Sequence, residues 1–222
     1  MTATLSRTRI ALTATEHASL RAAVERDAPA LAGRIDDPVD IDRLEQPWFR
    51  HRRILDVQSP VPFLARRIHV ALDPAGQALV LTRKLEHLQQ VAAADPPPGL
   101  DAAEEAATYA TYASAWTRES PLGELKLSSF ADIPWPSALD PATVEALRDR
   151  WGDAIQPETR NRLAGGWLFR SWWLVTRRLV ERELLVPPDG RLQRTDIVNA
   201  EQLPVPLGNY WQLVNGRLIP VG

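Results

Sequence analysis

Three short turn motifs constrain the fold more than any other feature of this sequence. Asp73-Pro74-Ala75-Gly76 has proline second and glycine fourth, as a type I turn favours. Pro188-Asp189-Gly190 and Asn215-Gly216 mark two more turns, and Asn-Gly suits a turn in which both central residues need positive φ. Each motif is flanked by strand-like segments: Phe63–Leu72 and Gln77–Thr82, Leu184–Val186 and Arg191–Val198, and Tyr210–Val214 and Arg217–Val221. The sequence therefore predicts three hairpins.

Helical signals occupy much of the remaining chain. Thr13 followed by Glu16 is a capping-box pattern, which predicts a helix over Ala14–Ala28. Apolar residues at three- and four-residue spacing predict three more helices, over Arg83–Ala94, after Asp101, and after Asp140-Pro141. We therefore predict an α+β fold in which four or five helices pack on an antiparallel sheet made mainly of the three hairpins.

Two segments are harder to assign from the sequence. Gly33–Gln46 is acidic, and we predict a loop or a short helix there. Glu158–Leu185 fits both a helix and strands, but alternation breaks at Arg178 and Arg182, which favours the helix.

The length of 222 residues suits one large domain or two small ones. At this size a chain buries roughly 70% of its unfolded surface, so it needs no metal or disulfide to form a core. We predict a single domain over residues 1–222, with a candidate internal boundary at 95–100, where Pro96-Pro97-Pro98-Gly99 ends a helix.

The familiar catalytic and cofactor motifs are missing from the sequence. There is no cysteine, no glycine-rich phosphate loop and no Gly-x-Ser-x-Gly, and none of the four histidines begins His-Glu-x-x-His. We expect no metal and no cofactor. The N-terminus does not resemble a signal peptide, and the most apolar stretch, Leu163–Val175, is shorter than the ~20 residues of a membrane span. A cytoplasmic protein without a membrane span is the default expectation.

The first candidate site is the segment Pro47–Arg53, which contains Trp48, Arg50, His51, Arg52 and Arg53. Arginine beside an aromatic ring suits phosphate or nucleobase binding. Three interpretations stay open: ion pairs with the acidic stretch Asp36–Glu45, a small anionic ligand, or nucleic acid. The net charge of −2 argues against general duplex binding.

The second candidate site is Trp167–Arg178, which holds three of the eight tryptophans. Trp172, Trp173 and Arg177 could belong to a buried helix, a protein interface or a helix on a membrane surface. Tryptophan and arginine are enriched at interface hot spots.

These observations lead to two functional hypotheses. The first is a non-catalytic binding or assembly module that uses a tryptophan- and arginine-rich surface; its partner is a protein or a second copy rather than nucleic acid. The alternative is a small enzyme acting on an anionic metabolite. In that case Arg50, Arg52 and Arg53 hold the substrate, and His51 or His69 is the general base.

Overall fold

The structure is a computed structural model. It describes residues 5–29, 40–58, 67–118 and 124–206, together with the backbone of 211–214 and 217–220. The chain divides into two compact units: Met1–Glu119 with Val186–Leu192, and Ser120–Leu185 with Gln193–Gly222. Residues 96–99 lie inside the first unit. That the chain folds as a single domain stays a prediction.

The first unit contains a five-stranded antiparallel sheet whose spatial order follows the chain. Its strands are β1 (Arg7–Arg9), β2 (Asp40–Leu44), β3 (Arg53–Gln58), β4 (Arg67–Leu72) and β5 (Ala78–Val80). Its helices are α1 (Ala14–Asp27), α2 (Leu85–Ala94) and α3 (Ala103–Trp116).

The local signals in this unit act as predicted. The Thr13 hydroxyl accepts from the Glu16 backbone N–H, and the Glu16 carboxylate accepts from the Thr13 N–H at 2.9 Å, which completes the capping box. The β4–β5 turn closes through a bond of 3.0 Å from the Gly76 N–H to the Asp73 carbonyl. The predicted strand residues 63–66 lie outside the described residues.

The loop or short helix predicted for Gly33–Gln46 is wrong for Asp40–Leu44, which form β2. Residues 33–39 lie outside the described part of the chain. Alternation explains the strand, because Ile41 joins the buried core while Asp40 and Asp42 face the other way and bind Arg9 of β1. The acidic residues therefore belong to a paired strand face.

The two faces of this sheet differ in character. One face packs with α1 into an apolar core that includes Leu55, Val57, Ile68 and Val70. The opposite face carries polar side chains from four neighbouring strands: Arg7 and Arg9, Asp40 and Asp42, Asp56 and Gln58, and Arg67 and His69. Because side chains alternate along each strand, these residues share one face.

The second unit contains another five-stranded antiparallel sheet. Its strands are β6 (Glu124–Leu127), β7 (Thr159–Leu163), β8 (Gly166–Val175), β9 (Arg178–Val186) and β10 (Gln193–Ala200). The order is β10-β9-β8-β6, and β7 also pairs with β8. Helix α4 (Pro141–Trp151), with Asp140 as its N-cap, and a 3₁₀ turn (Phe130–Asp132) belong to the same unit.

The helix predicted over Glu158–Leu185 is wrong, since this segment forms β7, β8 and β9. Trp172 and Trp173 lie on opposite faces of β8, where Trp172 packs on the apolar core and Trp173 lies under Arg182. In a strand that is partly covered on both faces, apolar residues need not alternate with polar ones. Such a strand is easily mistaken for a helix.

The last two strands, β11 (Trp211–Val214) and β12 (Arg217–Pro220), pair as the predicted hairpin, and Leu213 lies opposite Leu218. The turn at Asn215-Gly216 lies outside the described residues. Within the described part of the chain there are four α-helices and two five-stranded antiparallel sheets, so the α+β prediction is confirmed. The hairpins are divided between separate sheets rather than joined in one.

Candidate functional site

Trp48, predicted as a binding residue, is 1% exposed. Its ring lies 5.5–5.8 Å from the rings of Tyr109, Tyr112 and Trp116, which all come from α3. Gln46 fixes the backbone beneath it by accepting from the N–H groups of Trp48 and Phe49. Trp48 is therefore part of an aromatic core and does not reach the surface.

The basic residues after Trp48 lie in different surroundings. Arg50 and His51 are exposed, and the His51 N–H donates to the Asp95 carboxylate at 2.8 Å. Arg52 and Arg53 are half-buried, and Arg53 binds Glu16 at the start of α1. The partner of Arg53 therefore lies outside the acidic stretch, and no described contact brings His51 together with His69.

His69 lies instead on the polar face of the first sheet, directly opposite Asp56. Its Nε2 is 3.9 Å from Asp56 Oδ1, and its buried Nδ1 has no hydrogen-bond partner among the described residues. Burial lowers the pKa of His69 to about 3; Asp56 opposes this shift, and Arg67, Arg118 and Arg7 add to it. His69 is therefore neutral at physiological pH.

Asp56 is fully buried, and three side chains hold it. Arg67 forms two hydrogen bonds with its carboxylate, one of them 2.6 Å long, Arg7 forms an ion pair at 3.0 Å, and Gln58 donates at 3.0 Å. Burial alone raises the pKa of a carboxyl group. Here burial is the largest single influence, but Arg67, His69 and Gln58 together outweigh it and hold the pKa of Asp56 below its usual range. Asp56 is therefore a buried anion between two cations.

Trp172, Trp173 and Arg177 occupy three different surroundings in the second unit. Trp172 is half-buried against the core that contains Leu127 and Leu174. The Trp173 indole N–H donates to the Ser171 hydroxyl at 2.8 Å. Arg177 donates to the Val205 carbonyl and lines a groove of about 350 Å³ with Leu139 and three prolines. These residues do not form one continuous tryptophan and arginine surface.

A surface that the sequence analysis missed is strand β10. It ends the strand order of its sheet, and Thr195, Asp196, Ile197 and Val198 are all exposed. The exposed large hydrophobic side chains in the described part of the chain are Ile197, Val198 and Leu163. The turn motif predicted β10 as a strand, but nothing in the sequence marked it as the edge of a sheet.

No protein-family model, no curated protein and no solved structure matches this chain. None of the helices in the described ranges is long and apolar enough to cross a membrane. Within the same residues, no group of three or more His, Asp or Glu side chains could hold a metal ion.

Proposed function

We propose that this protein is an assembly module that pairs with a second copy of itself along β10. The proposal keeps the binding or assembly function expected from the sequence and moves the contact surface to the edge of the tryptophan-rich sheet. The observation that carries it is the exposure of Ile197 and Val198 on the last strand of that sheet.

The positions of these two side chains favour an added strand over a partner that covers only one face. Neighbouring residues in a strand point to opposite faces, so Ile197 and Val198 flank the edge on both sides. An added strand covers both side chains and binds the edge N–H and C=O groups.

The charged residues of β10 do not point outward to prevent pairing with another strand. Soluble proteins often protect edge strands with charged side chains. Here the Asp196 carboxylate is held by two bonds from Arg182, each 2.8 Å long, and Arg194 is nearly buried beside it. The pairing register with β9 shifts between Val198 and Ala200, so a regular added ladder can extend over Gln193–Val198.

A second copy fits this edge because an antiparallel pair related by a twofold axis joins the β10 edges of both copies in one closed contact. Such an axis is perpendicular to the sheet and passes midway between the two copies of one residue, which lie opposite each other in the two strands. Centred on Thr195, it sets Arg194 opposite Asp196 of the second copy twice. This register matches opposite charges and pairs Gln193–Ile197 of the two copies, within the regular part of β10, with Val198 just beyond the end of the ladder.

Sedimentation velocity and native mass spectrometry over a concentration series test the proposal. We expect a species of twice the 24.8 kDa chain mass. The variant Ile197→Lys should be monomeric, whereas Leu163→Lys, which changes a side chain of nearly equal exposure on β7, should stay dimeric. A monomeric wild-type protein, or equal loss of the dimer in both variants, contradicts the proposal.

A cysteine substitution tests the register, because the chain contains no other cysteine. Thr195→Cys should form an intermolecular disulfide under mild oxidation, since facing Cβ atoms in an antiparallel pair lie about 4.5–5.5 Å apart. Gln193→Cys, two residues from the proposed axis, should cross-link much less. Equal cross-linking at both positions rules out this register.

The alternative of a small enzyme acting on an anionic metabolite has a different basis. Asp56 and His69 face each other beside Arg7 and Arg67, and an enzyme that binds an anionic substrate needs such a cluster of charged and polar side chains. A base with a pKa of about 3 is weak at neutral pH, so general-base chemistry by His69 has little support. The two arginines beside His69 can bind an anion whether or not His69 acts as a base.

A further inference from the structure

The cluster around Asp56 holds more positive charge and more N–H donors than its carboxylate can use. Arg7 and Arg67 both pair with this one acid. Two guanidinium groups carry about ten N–H donors, and a carboxylate offers about four lone-pair sites. Two bonds from Arg67, one pair with Arg7 and one bond from Gln58 already occupy those sites.

Both arginine side chains are partly exposed, and a buried group that has no hydrogen-bond partner among the described residues lies on the same face of the sheet. The side chains of Arg7 and Arg67 are 39% and 32% exposed, although their shared carboxylate is buried. His69 is on the same face of β4 as Arg67 and two residues further along, so their Cα atoms are about 6.6 Å apart. The buried Nδ1 of His69 makes no hydrogen bond among the described residues.

We propose that Arg7, Arg67 and His69 form a binding site for a small phosphate, either inorganic phosphate or a phosphomonoester. The phosphate oxygens accept from guanidinium N–H groups that do not bond to Asp56, and one oxygen bonds to His69 Nδ1. Asp56 is a positioning residue, because it orients Arg67 through the paired bonds and does not touch the ligand. This site is independent of the self-assembly proposed for β10.

A phosphate fits these groups better than a carboxylate does. It presents oxygens in several directions, whereas a carboxylate is planar and its two oxygens suit one guanidinium fork. A phosphate monoanion also carries an O–H and can therefore either donate to His69 Nδ1 or accept from it. Both neutral tautomers of the imidazole are thus satisfied.

The chain offers a matched pair of variants for testing this site. Arg7 and Arg9 are both on β1 and share one face, but Arg9 pairs with Asp40 and Asp42. We expect phosphate to raise the melting temperature of the wild-type protein and of Arg9→Gln at constant ionic strength. In Arg7→Gln, the phosphate dissociation constant measured by calorimetry should increase at least tenfold.

Nitrogen-15 NMR of the histidine side chains gives a second readout, in which the binding itself is followed on the wild-type protein. Phosphate should shift the Nδ1 signal of His69, assigned through His69→Gln, and leave His17, which lies on α1, unchanged. Tighter binding of either inorganic phosphate or phenyl phosphate supports the site and identifies the form of ligand. No wild-type binding, equal weakening in both arginine variants, or equal affinity for acetate overturns the proposal.

Discussion

Arg182 and Asp196 lie directly opposite each other on β9 and β10 and are joined by two hydrogen bonds of 2.8 Å. The third nitrogen of Arg182 donates to Glu124 of β6 at 2.7 Å, and the guanidinium lies over the Trp173 ring. Burial opposes the charge of Arg182, but the two carboxylates outweigh it and raise its pKa above the usual value. One buried cation therefore links β6, β8, β9 and β10.

Replacing Arg182 with methionine should lower the free energy of unfolding of the second unit by about 3–5 kcal/mol. The reason is that Glu124 and Asp196 both lose the buried cation that joins them, and breaking a buried ion pair by removing one partner is costly. The control is Arg170→Met, whose ion pair with Glu183 is exposed and should contribute less than about 1 kcal/mol. Urea unfolding followed by tryptophan fluorescence measures both. Similar losses in the two variants contradict the structural role of Arg182.

Trp172→Ala and Trp173→Ala separate the tryptophan-rich segment from the proposed β10 contact. Both changes should lower the melting temperature, because Trp172 packs on the apolar core and Trp173 supports Arg182. Below that temperature both variants should keep the mass of a dimer in sedimentation experiments. A folded monomer of either variant instead assigns the assembly contact to the tryptophans.

Several parts of the fold could be predicted because the responsible signals are local. The Thr13–Glu16 capping box and the Asp73–Gly76 turn involve residues no more than three positions apart, and both form as expected. β8 could not be predicted in this way, because its strand geometry depends on pairing with β6, which lies 45–51 positions earlier in the chain, as well as on the hairpin that it forms with the neighbouring β7. Long-range pairing overrides the local pattern there.

The candidate sites depend even more on distant residues. Trp48 and Arg50–Arg53 were selected because they are adjacent in sequence, yet Trp48 is enclosed by α3 and Arg53 binds Glu16. His69 is a candidate without a partner in the sequence analysis, because no short motif indicates that Asp56 lies opposite it. Arg7 reaches Asp56 across 49 positions. Such a cluster arises from strand register, which no short motif encodes.

The buried His69 should make stability depend on pH. Its pKa is about 3 in the folded protein and near 6.5 in the unfolded chain, so between these values only the unfolded chain binds the proton. The contribution of His69 to the free energy of unfolding is therefore fully present above about pH 6.5. It decreases as the pH falls, by at most about 1.4 kcal/mol per pH unit.

Urea unfolding between about pH 4.5 and 6.5 measures this slope, since the lowered pKa of Asp56 adds a loss of the same sign only at lower pH. The His69→Phe variant should lack the contribution of His69 and show a shallower slope. Identical slopes in the two proteins mean that His69 is not buried in its neutral form.

Gly190 should be among the positions of the first unit that are least tolerant of substitution. Its φ is +74°, and a Cβ placed there would lie 2.2 Å from the Pro97 Cγ and 2.6 Å from its Cδ. The Gly190 carbonyl also accepts from the Tyr109 hydroxyl at 2.8 Å. Pro96–Gly99 therefore packs against the β9–β10 turn as a fixed part of this unit.

Gly190→Ala should lower the free energy of unfolding by more than about 2 kcal/mol, because backbone strain and the clash with Pro97 act together. Gly165→Ala is the matched control: nothing lies within 4 Å of its added Cβ, so we expect a change within about 0.5 kcal/mol. Thermal and urea unfolding compare the two variants. The double variant Gly190→Ala/Pro97→Ala should recover the part of the loss due to the clash, while the strain of positive φ remains. If the single change costs nothing, the proline segment is a free linker between independently folding parts.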